Sequence, residues 1–238
     1  MIQFYAPDIL TDPVLPESDS QHCCRVLRMG AGDEIEVIDG KGNRYSCTIT
    51  APHSKHTAVE VRDCTPVPLS WSQNITVAVA PTKHLDRMEW LVEKLTEIGV
   101  NRIIPLHCAR SERKEIKTER LEKIAVSAMK QSLKAHLPEI LPMTPFAAVA
   151  AMPCTQKFIA YCDRSLPRLL LAGQYRPHTD AMILIGPEGD FSPEEIKSAL
   201  ELGFTPVSLG DNRLRTETAA LFACSTFHVL DMASDHGR

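Results

Sequence analysis

MILIGPEGDFSPEE, residues 182–195, joins a short apolar run to a glycine-containing loop and then to the start of a helix. The first four residues are all apolar, which is typical of a buried strand. Ser192, Pro193 and Glu195 form a capping box with proline at the first helical position, and Gly203 stands where the helix should end. A strand that leads directly into a loop and a helix is the unit from which parallel α/β sheets are built.

The same alternation extends outward through residues 71–238. Apolar runs predict further strands at residues 75–80, 101–106, 157–161 and 205–209. One helix is predicted with Leu85, Met88, Leu91, Val92, Leu95 and Ile98 on a single face, followed by Gly99. A second is predicted to bury Leu121, Ile124, Ala125, Ala128 and Met129 and to turn Lys123, Lys130, Gln131 and Lys134 outward. We therefore expect an α/β domain with a mostly parallel sheet over residues 71–238.

Residues 1–70 have a different pattern. Apolar and polar residues alternate at 34–38 and again at 44–50, and the turn residues between them predict a hairpin. A further strand is predicted at 57–61, after which Pro66 and Pro68 indicate a linker. Short strands of this kind are commonly buried in a small barrel, so we expect a β-barrel domain over residues 1–70.

The composition excludes several classes of protein. With 44% hydrophobic and 24% charged residues the chain is an ordinary globular protein, and no apolar run approaches the ~20 residues of a membrane helix. The N-terminus lacks a basic segment followed by an apolar stretch, so we expect a cytoplasmic protein. The eight cysteines include no C-x-x-C pair or metal-spaced cluster, and we expect reduced, mostly buried thiols and no metal.

Several nucleotide and hydrolase motifs are absent. Gly30 and Gly32 precede a strand instead of linking a strand to a helix, and the Gly40–Lys41 pair lacks the remainder of a P-loop. The chain contains neither G-x-S-x-G nor H-E-x-x-H. A Rossmann dehydrogenase, a P-loop NTPase and a zinc protease are therefore disfavoured.

Two glycine loops remain, each at the carboxyl end of a predicted strand, where open α/β sheets bind ligands. Four of the 11 glycines fall within residues 186–210, and backbone that must approach a ligand closely would explain this concentration. Arg215 and Glu217 follow the second loop. They suit a site for a charged substrate, but a helix cap at the first loop and a surface ion pair at the second would also explain the pattern.

Charge is distributed unevenly along the chain. The net charge is −4, which argues weakly against a nucleic-acid partner. Residues 102–134 nevertheless carry nine Lys or Arg against four Glu. Such a run is usually a solvated helix face, and a phosphate-binding patch is the alternative. Charge alone does not decide between them.

The motifs GPEGDFSPEE and LGDNRLRTETA resemble the two C-terminal motifs of the RsmE family, SPOUT-class methyltransferases that act on uridine N3 of small-subunit ribosomal RNA. Three further stretches, HCCRVLRMGAGDEIEVIDG, KLTEIGVNRIIPLHCARSER and MKQSLKAHLPEI, resemble the same family in the same order. The resemblance implies a PUA-like, RNA-binding barrel at 1–70 and a trefoil-knotted SPOUT domain at 71–238. It also implies S-adenosylmethionine as cofactor, 16S ribosomal RNA as partner and a homodimer.

The resemblance also assigns roles to residues. Cofactor contacts are expected from Gly186, Glu188, Gly189, Leu209, Gly210 and Leu214. RNA phosphates are expected to be bound by Arg25, Arg28, Arg110, Arg113, Lys130 and Lys134. Three positions depart from the family pattern: Asp190 replaces a glycine, Asn212 beside Arg213 replaces an arginine, and Lys134 replaces an arginine found in many relatives. The Asn212 change leaves open which arginine faces the substrate.

Methylation of uridine N3 requires a group that accepts the N3 proton and a group that stabilises the negative charge developing on the base. We expect Arg215 to be the stabiliser and either Glu217 or Glu188 to be the proton acceptor. A structural alternative for Glu217 is an acid placed at a helix N-terminus by the helix dipole. Two other functions stay open: methylation of a different RNA, and RNA binding without catalysis.

Overall fold

The computed structural model describes residues 3–162 and 168–235, and it divides into two compact units. The first contains the residues up to Ser70 together with Ala125–Leu137. The second contains Trp71–Ile124 and the chain from Pro138 onward. In the described part of the chain, no helix is long and apolar enough to span a membrane.

The first unit is built on a four-stranded sheet. Its strands are β1 (Gln3–Tyr5), β2 (Glu34–Ile38), β3 (Asn43–Ala51) and β4 (Ala58–Pro66). They lie in the order β1-β2-β3-β4, with β1 parallel to β2 and the other pairs antiparallel. Helix α1 (Glu17–Gln21) continues into a π-helical turn at His22–Val26. The predicted hairpin is confirmed, with Glu34 opposite Thr48.

The core of the first unit follows from the alternation seen in the sequence. Inward-facing residues of β2 and β3 are buried and pack with residues from β1 and the segments that follow it: Phe4, Leu15, Cys23, Ile35, Val37, Tyr45, Cys47 and Ile49. The residues 125–137 add to this unit because Met129 and Ala135 pack with Ile38, and because the Gly42 N–H donates to the Ala135 carbonyl at 2.9 Å. Their periodicity predicts only a helix with an apolar face, not the partner of that face.

The second unit is an α/β domain. Its strands are β5 (Ile75–Val79), β6 (Arg102–His107), β7 (Glu139–Ile140), β8 (Thr144–Pro145), β9 (Gln156–Ala160), β10 (Leu169–Leu170), β11 (Ala181–Ile185) and β12 (Thr205–Ser208). The helices are α2 (Leu85–Ile98), α3 (Thr118–Gln131), α4 (Phe146–Ala150), α5 (Pro193–Glu201) and α6 (Thr216–Asp235), with a 3₁₀ turn at Leu171–Gly173. Helix α3 contributes its first seven residues, through Ile124, to this unit.

The sheet of the second unit has the order β10-β12-β9-β11-β5-β6-β7, with β8 also paired to β6. All of these described pairings are parallel, so the predicted mostly parallel sheet is confirmed. Strands β5 and β11 are buried along their whole length because they occupy the centre. The trefoil knot stays a prediction.

Parallel order brings the carboxyl ends of β5, β6, β9, β11 and β12 to one edge of the sheet. Each end opens into a loop, and the chain then enters α2 after β5, α5 after β11 and α6 after β12. Gly99 ends α2 as predicted, with a φ of 124° and its N–H donated to the Leu95 carbonyl. The fold therefore gathers both glycine loops of the sequence on this edge.

Candidate active site

The loop after β11 is a tight turn in which a side chain at the first position, Gly186, would be crowded. A Cβ atom on Gly186 would lie 3.1 Å from the ring of Phe191, which is fully buried beneath the loop. The Asp190 N–H donates to the Pro187 carbonyl at 2.9 Å and closes the turn. Close approach of backbone to a buried ring thus accounts for Gly186 without any ligand.

Helix α5 begins with the predicted capping box. The Ser192 hydroxyl accepts the Glu195 N–H, and the Glu195 carboxylate accepts the Ser192 N–H at 2.9 Å. The other carboxylate oxygen of Glu195 accepts the Ala109 N–H, from the loop after β6, at 2.7 Å. The backbone N–H and the Ser192 hydroxyl lower the pKa of Glu194 in the same turn. Glu195 therefore joins the first turn of α5 to the loop after β6.

Two arginines bind the loops of this edge to one another. Arg110 donates from Nη1 to the carbonyls of Gly189 and Phe191, at 3.1 and 3.2 Å. Arg113 donates to the carbonyls of Thr82 and Lys83, at 3.2 and 2.8 Å, in the loop after β5. Both guanidinium groups, expected from the sequence to bind RNA phosphates, hydrogen-bond to backbone that surrounds the candidate site.

Glu188 and Asp190 fix the loop after β11 in two further directions. Glu188 is exposed, and its Oε1 accepts the Lys83 N–H at 3.1 Å. Asp190 has a φ of 62°, the left-handed region that favours glycine. Its carboxylate accepts the N–H of Cys162, just past β9, and its own next N–H at Phe191, both at 2.9 Å. The aspartate thus adopts a backbone conformation that favours glycine and adds a link to the segment that follows β9.

The second glycine loop runs from β12 to α6. Gly210 has a φ of 105°, and a Cβ atom there would meet none of the described residues within 4 Å. Leu209 and Leu214 are half-buried on either side. The two loops meet where the Thr216 hydroxyl donates to the Gly186 carbonyl at 3.3 Å. The two motifs of the sequence therefore form one site, with open space beside Gly210.

Glu217 lies at this junction, in the first turn of α6, and is only 6% exposed. Its Oε1 lies 3.8 Å from Nε of Arg87, beyond hydrogen-bonding distance. Its Oε2 is buried and has no hydrogen-bond partner among the described residues. Arg87 was not singled out from the sequence, where it is one of several charged residues at the start of α2. Only the fold brings it beside Glu217.

Arg213 and Arg215 lie on the same loop with their side chains exposed. Neither forms a side-chain hydrogen bond or ion pair with a residue that the structure describes. Arg215 also caps α6, because its carbonyl accepts the Ala219 N–H at 2.8 Å. The predicted stabiliser is therefore two residues from Glu217 and available to a ligand, as is Arg213.

The cysteines are free thiols, four of them buried. Cys108, at the start of the loop after β6, has its pKa raised by burial and by the nearby Glu195 charge, against a smaller opposite effect of Ser111. It is protonated at neutral pH and acts as a small apolar side chain. Cys64 and Cys162 are exposed.

The first unit contains the other residues expected to bind RNA. Arg25 lies in the π-helical turn and Arg28 follows it with a φ of 56°; both are exposed and form no ion pair within the described ranges. Lys130 was expected to point outward, which is wrong: its Nζ pairs at 2.5 Å with the buried carboxylate of Asp19. A buried acid attracts the lysine inward. Lys134 follows α3 and is half-buried.

Comparison with known proteins finds two family models that match successive parts of the chain. A family model described as an RNA methyltransferase domain matches residues 70–228, and one described as an RNA methyltransferase PUA domain matches residues 15–61. The ribosomal RNA small subunit methyltransferase E of Aquifex aeolicus is 30% identical over 87% of this chain and 90% of its own length. The expected PUA-like and methyltransferase parts are confirmed.

Solved structures agree. A probable rRNA methyltransferase from Porphyromonas gingivalis is 46% identical, with a TM-score of 0.94 over 98% of this chain and 100% of that one. A ribosomal RNA small subunit methyltransferase E from Neisseria gonorrhoeae, bound to S-adenosylmethionine, is 28% identical with a TM-score of 0.83 over 97% and 98%. The methyltransferase model alone covers well over half of the 238 residues. The chain therefore belongs to the RNA methyltransferase family, in the group of the ribosomal RNA small subunit methyltransferases E.

Proposed function

We propose that this family member transfers a methyl group from S-adenosylmethionine to N3 of a uridine in 16S ribosomal RNA. The observation that carries the proposal is the junction of the two glycine loops at Thr216, with the buried carboxylate of Glu217 beside it. A close approach of backbone and a buried acid are what a donor site next to a proton-accepting group requires.

The residues at this edge fit the donor. Gly210 leaves open space where any side chain would intrude, and the half-buried Leu209 and Leu214 offer apolar contact for a purine. We assign the donor contacts to these three residues and to Gly186, Glu188 and Gly189 of the first loop. When bound, S-adenosylmethionine supplies an electrophilic methyl group. The protein must then manage the proton on uridine N3.

Glu217 is better placed than Glu188 to accept that proton. Glu188 is exposed and already accepts the Lys83 N–H, so part of its hydrogen-bonding capacity is used in the loop. Glu217 is buried and its Oε2 has no donor among the described residues. A carboxylate shielded from water and left with a vacant lone pair suits proton transfer from a bound base.

Arg215 is the proposed electrostatic stabiliser. Loss of the N3 proton leaves negative charge on the base, and an arginine two residues before Glu217 can offset it. The exposed guanidinium has no other partner in the described ranges, so binding a substrate costs it no existing hydrogen bond. Arg213 has the same exposure and is the alternative.

RNA binding is proposed to involve the first unit. N3 lies on the Watson–Crick edge, so the target base must be unpaired before methyl transfer. Arg25 and Arg28 are exposed and unpaired within the described chain, which suits contacts to phosphates. Arg110, Arg113 and Lys130 have intramolecular partners, and they and Lys134 would add positive charge rather than dedicated contacts.

We also propose a homodimer. Helix α6 carries a row of exposed apolar side chains, Phe222, Val229 and Met232, each about half exposed and spaced to share one face. Exposed apolar side chains on one face of a helix favour a contact with another chain, and a two-fold interface would cover them on both copies.

The test uses the purified 238-residue chain, methyl-labelled S-adenosylmethionine and small ribosomal subunits from cells that lack the modification. Nucleosides are then identified by mass spectrometry. We expect the label in 3-methyluridine. Label in a different nucleoside would contradict the assignment to N3, and donor binding without label would favour a different RNA target. Absence of donor binding would favour the non-catalytic RNA-binding protein.

A further inference from the structure

Four acidic side chains are more than nine-tenths buried within the described part of the chain, and one of them differs from the rest. They are Asp19, Asp39, Glu217 and Asp231. The three aspartates each accept hydrogen bonds. Asp19 accepts from the Tyr5 N–H and Lys130, and Asp39 accepts from Lys41, Asn43 and Tyr45. Asp231 accepts from Gln73, Tyr175 and His178. Glu217 accepts none from a described residue. Buried polar groups are ordinarily satisfied, so this exception calls for a physical explanation.

Arg87 is the nearest recorded charge partner of Glu217. It lies in the first turn of α2, which is anchored by the fully buried Met88 and Leu91, and its own N–H donates to the His84 carbonyl at 3.2 Å. Helix α2 packs against α6. The arginine is therefore presented to Glu217 from a rigid element of the second unit, and not from a loop.

The distance between the two groups matters. At 3.8 Å, Nε of Arg87 supplies the opposite charge that a buried carboxylate needs but does not donate a hydrogen bond to it. A bidentate arginine–carboxylate pair would instead occupy lone pairs on both oxygens. The pair seen here balances charge and leaves the lone pairs of Oε2 vacant.

We infer that Arg87 is a positioning residue: it holds the Glu217 carboxylate in place by charge and leaves the lone pairs of Oε2 unused, so that this buried oxygen accepts a proton from a substrate N–H when the bound base displaces the atoms that cover it. The inference rests on the proposed function, in which that N–H is uridine N3. Arg87 itself contacts neither donor nor base in this account. Its effect on the reaction is transmitted through Glu217 alone.

The experiment measures methyl transfer under saturating donor and small subunits for the variants Arg87→Gln, Arg87→Lys, Glu217→Gln and the double variant Arg87→Gln/Glu217→Gln. Arg120→Gln is the matched control. Arg120, in α3, pairs at 2.5 Å with Glu89 of α2, the helix that carries Arg87, but it lies outside the site. Donor affinity and thermal unfolding are recorded for each variant.

We expect Arg87→Gln to lower kcat about tenfold with the KM for both substrates changed less than about twofold, because positioning acts on the chemical step. Arg87→Lys should recover most of the rate, since it keeps the charge, and Arg120→Gln should match wild type. The double variant should be no slower than Glu217→Gln alone, because residues that act as one unit are not additive.

Three results would overturn the inference. The first is a wild-type kcat for Arg87→Gln. The second is a double variant whose kcat falls below that of Glu217→Gln by the same factor by which Arg87→Gln alone falls below wild type. The third is a loss that appears only as weaker donor binding and a lower unfolding temperature. If wild-type protein instead failed to methylate small-subunit RNA, the proposed function would fail first. In that case a wild-type donor affinity of Arg87→Gln would not support a positioning role for Arg87.

Discussion

Helix α6 buries an acidic side chain at each end, and the two are stabilised in opposite ways. Glu217 in the first turn is 6% exposed and Asp231 in the last turns is 5% exposed. Asp231 accepts hydrogen bonds from the Gln73 amide, from the Tyr175 hydroxyl at 3.0 Å and from the His178 N–H at 2.7 Å. Glu217 has only the distant charge of Arg87.

In the proposed function, this difference separates a structural carboxylate from a reactive one. Burying a charge is costly unless hydrogen bonds replace its water, and at Asp231 they do. The pKa of Tyr175 is raised by burial and by the Asp231 charge, so its hydroxyl stays protonated and continues to donate. At Glu217 the charge of Arg87 is present but no hydrogen bond from a described residue replaces the lost water, and local rules of this kind are typically broken at functional sites. Equal burial thus corresponds to different roles on one helix.

Loss of the structural carboxylate is the largest stability effect that we predict. Asp231→Ala should lower the free energy of unfolding by about 3 kcal/mol, because it leaves buried donors on Gln73 and Tyr175 and the half-buried His178 N–H without their acceptor. Denaturant unfolding measures the change. Methyl transfer per folded molecule should be unaffected.

Asp235→Ala is the control for that variant. Asp235 is exposed at the end of the same helix and pairs with His178 at 3.1 Å, so its loss should cost less than about 0.5 kcal/mol. Equal destabilisation by the two substitutions would remove the distinction between the ends of α6.

A smaller effect is expected at Gly186, in the first of the two glycine loops. Gly186→Ala should weaken donor binding about tenfold or more, because Gly186 is an assigned donor contact and its loop must shift away from the Phe191 ring to admit the new Cβ atom; overpacking of this kind costs about 1–3 kcal/mol. Isothermal titration calorimetry measures it. Gly173→Ala is the control, because a Cβ atom at Gly173 meets none of the described residues within 4 Å. Unchanged donor affinity in Gly186→Ala would place the donor elsewhere.

The smallest effects concern RNA binding by the first unit. Arg25→Ala and Arg28→Ala should each weaken RNA binding severalfold and reduce the slope of log K against log salt by about 1. Filter binding across a salt series measures this. Lys41→Ala is the control within the same unit, since Lys41 already pairs with Asp8 at 3.5 Å. If Lys41→Ala weakened RNA binding as much as the arginine variants, Arg25 and Arg28 would contribute only general positive charge and not particular phosphate contacts.

Local features of the molecule were predictable from the sequence. The capping box of α5 depends on Ser192 and Glu195, three residues apart, and the structure contains it as predicted. The end of α2 at Gly99 and the hairpin of β2 and β3 also depend on near neighbours. The candidate site was located because its two glycine loops each carry a recognisable local pattern.

Long-range pairs were not predictable in the same way. Gln73 and Asp231 are 158 residues apart, and Arg87 and Glu217 are separated by a similar length of chain. Periodicity gives each residue a face of its element but not the group that it meets. For the same reason, charge at Arg110 and Arg113 suggested phosphate contacts, whereas the structure gives both guanidinium groups backbone carbonyls as partners.

The most direct test of the comparison is single-turnover methyl transfer by Glu217→Gln at saturating donor and small subunits. The account predicts a rate about 100-fold or more below wild type, because general-base catalysis contributes about 10²–10⁴-fold. Donor affinity should be unchanged and the free energy of unfolding altered by less than about 1 kcal/mol, since no hydrogen bond from a described residue is lost. A wild-type rate, or a loss of stability like that of Asp231→Ala, would contradict the assignment of Glu217 as the reactive carboxylate.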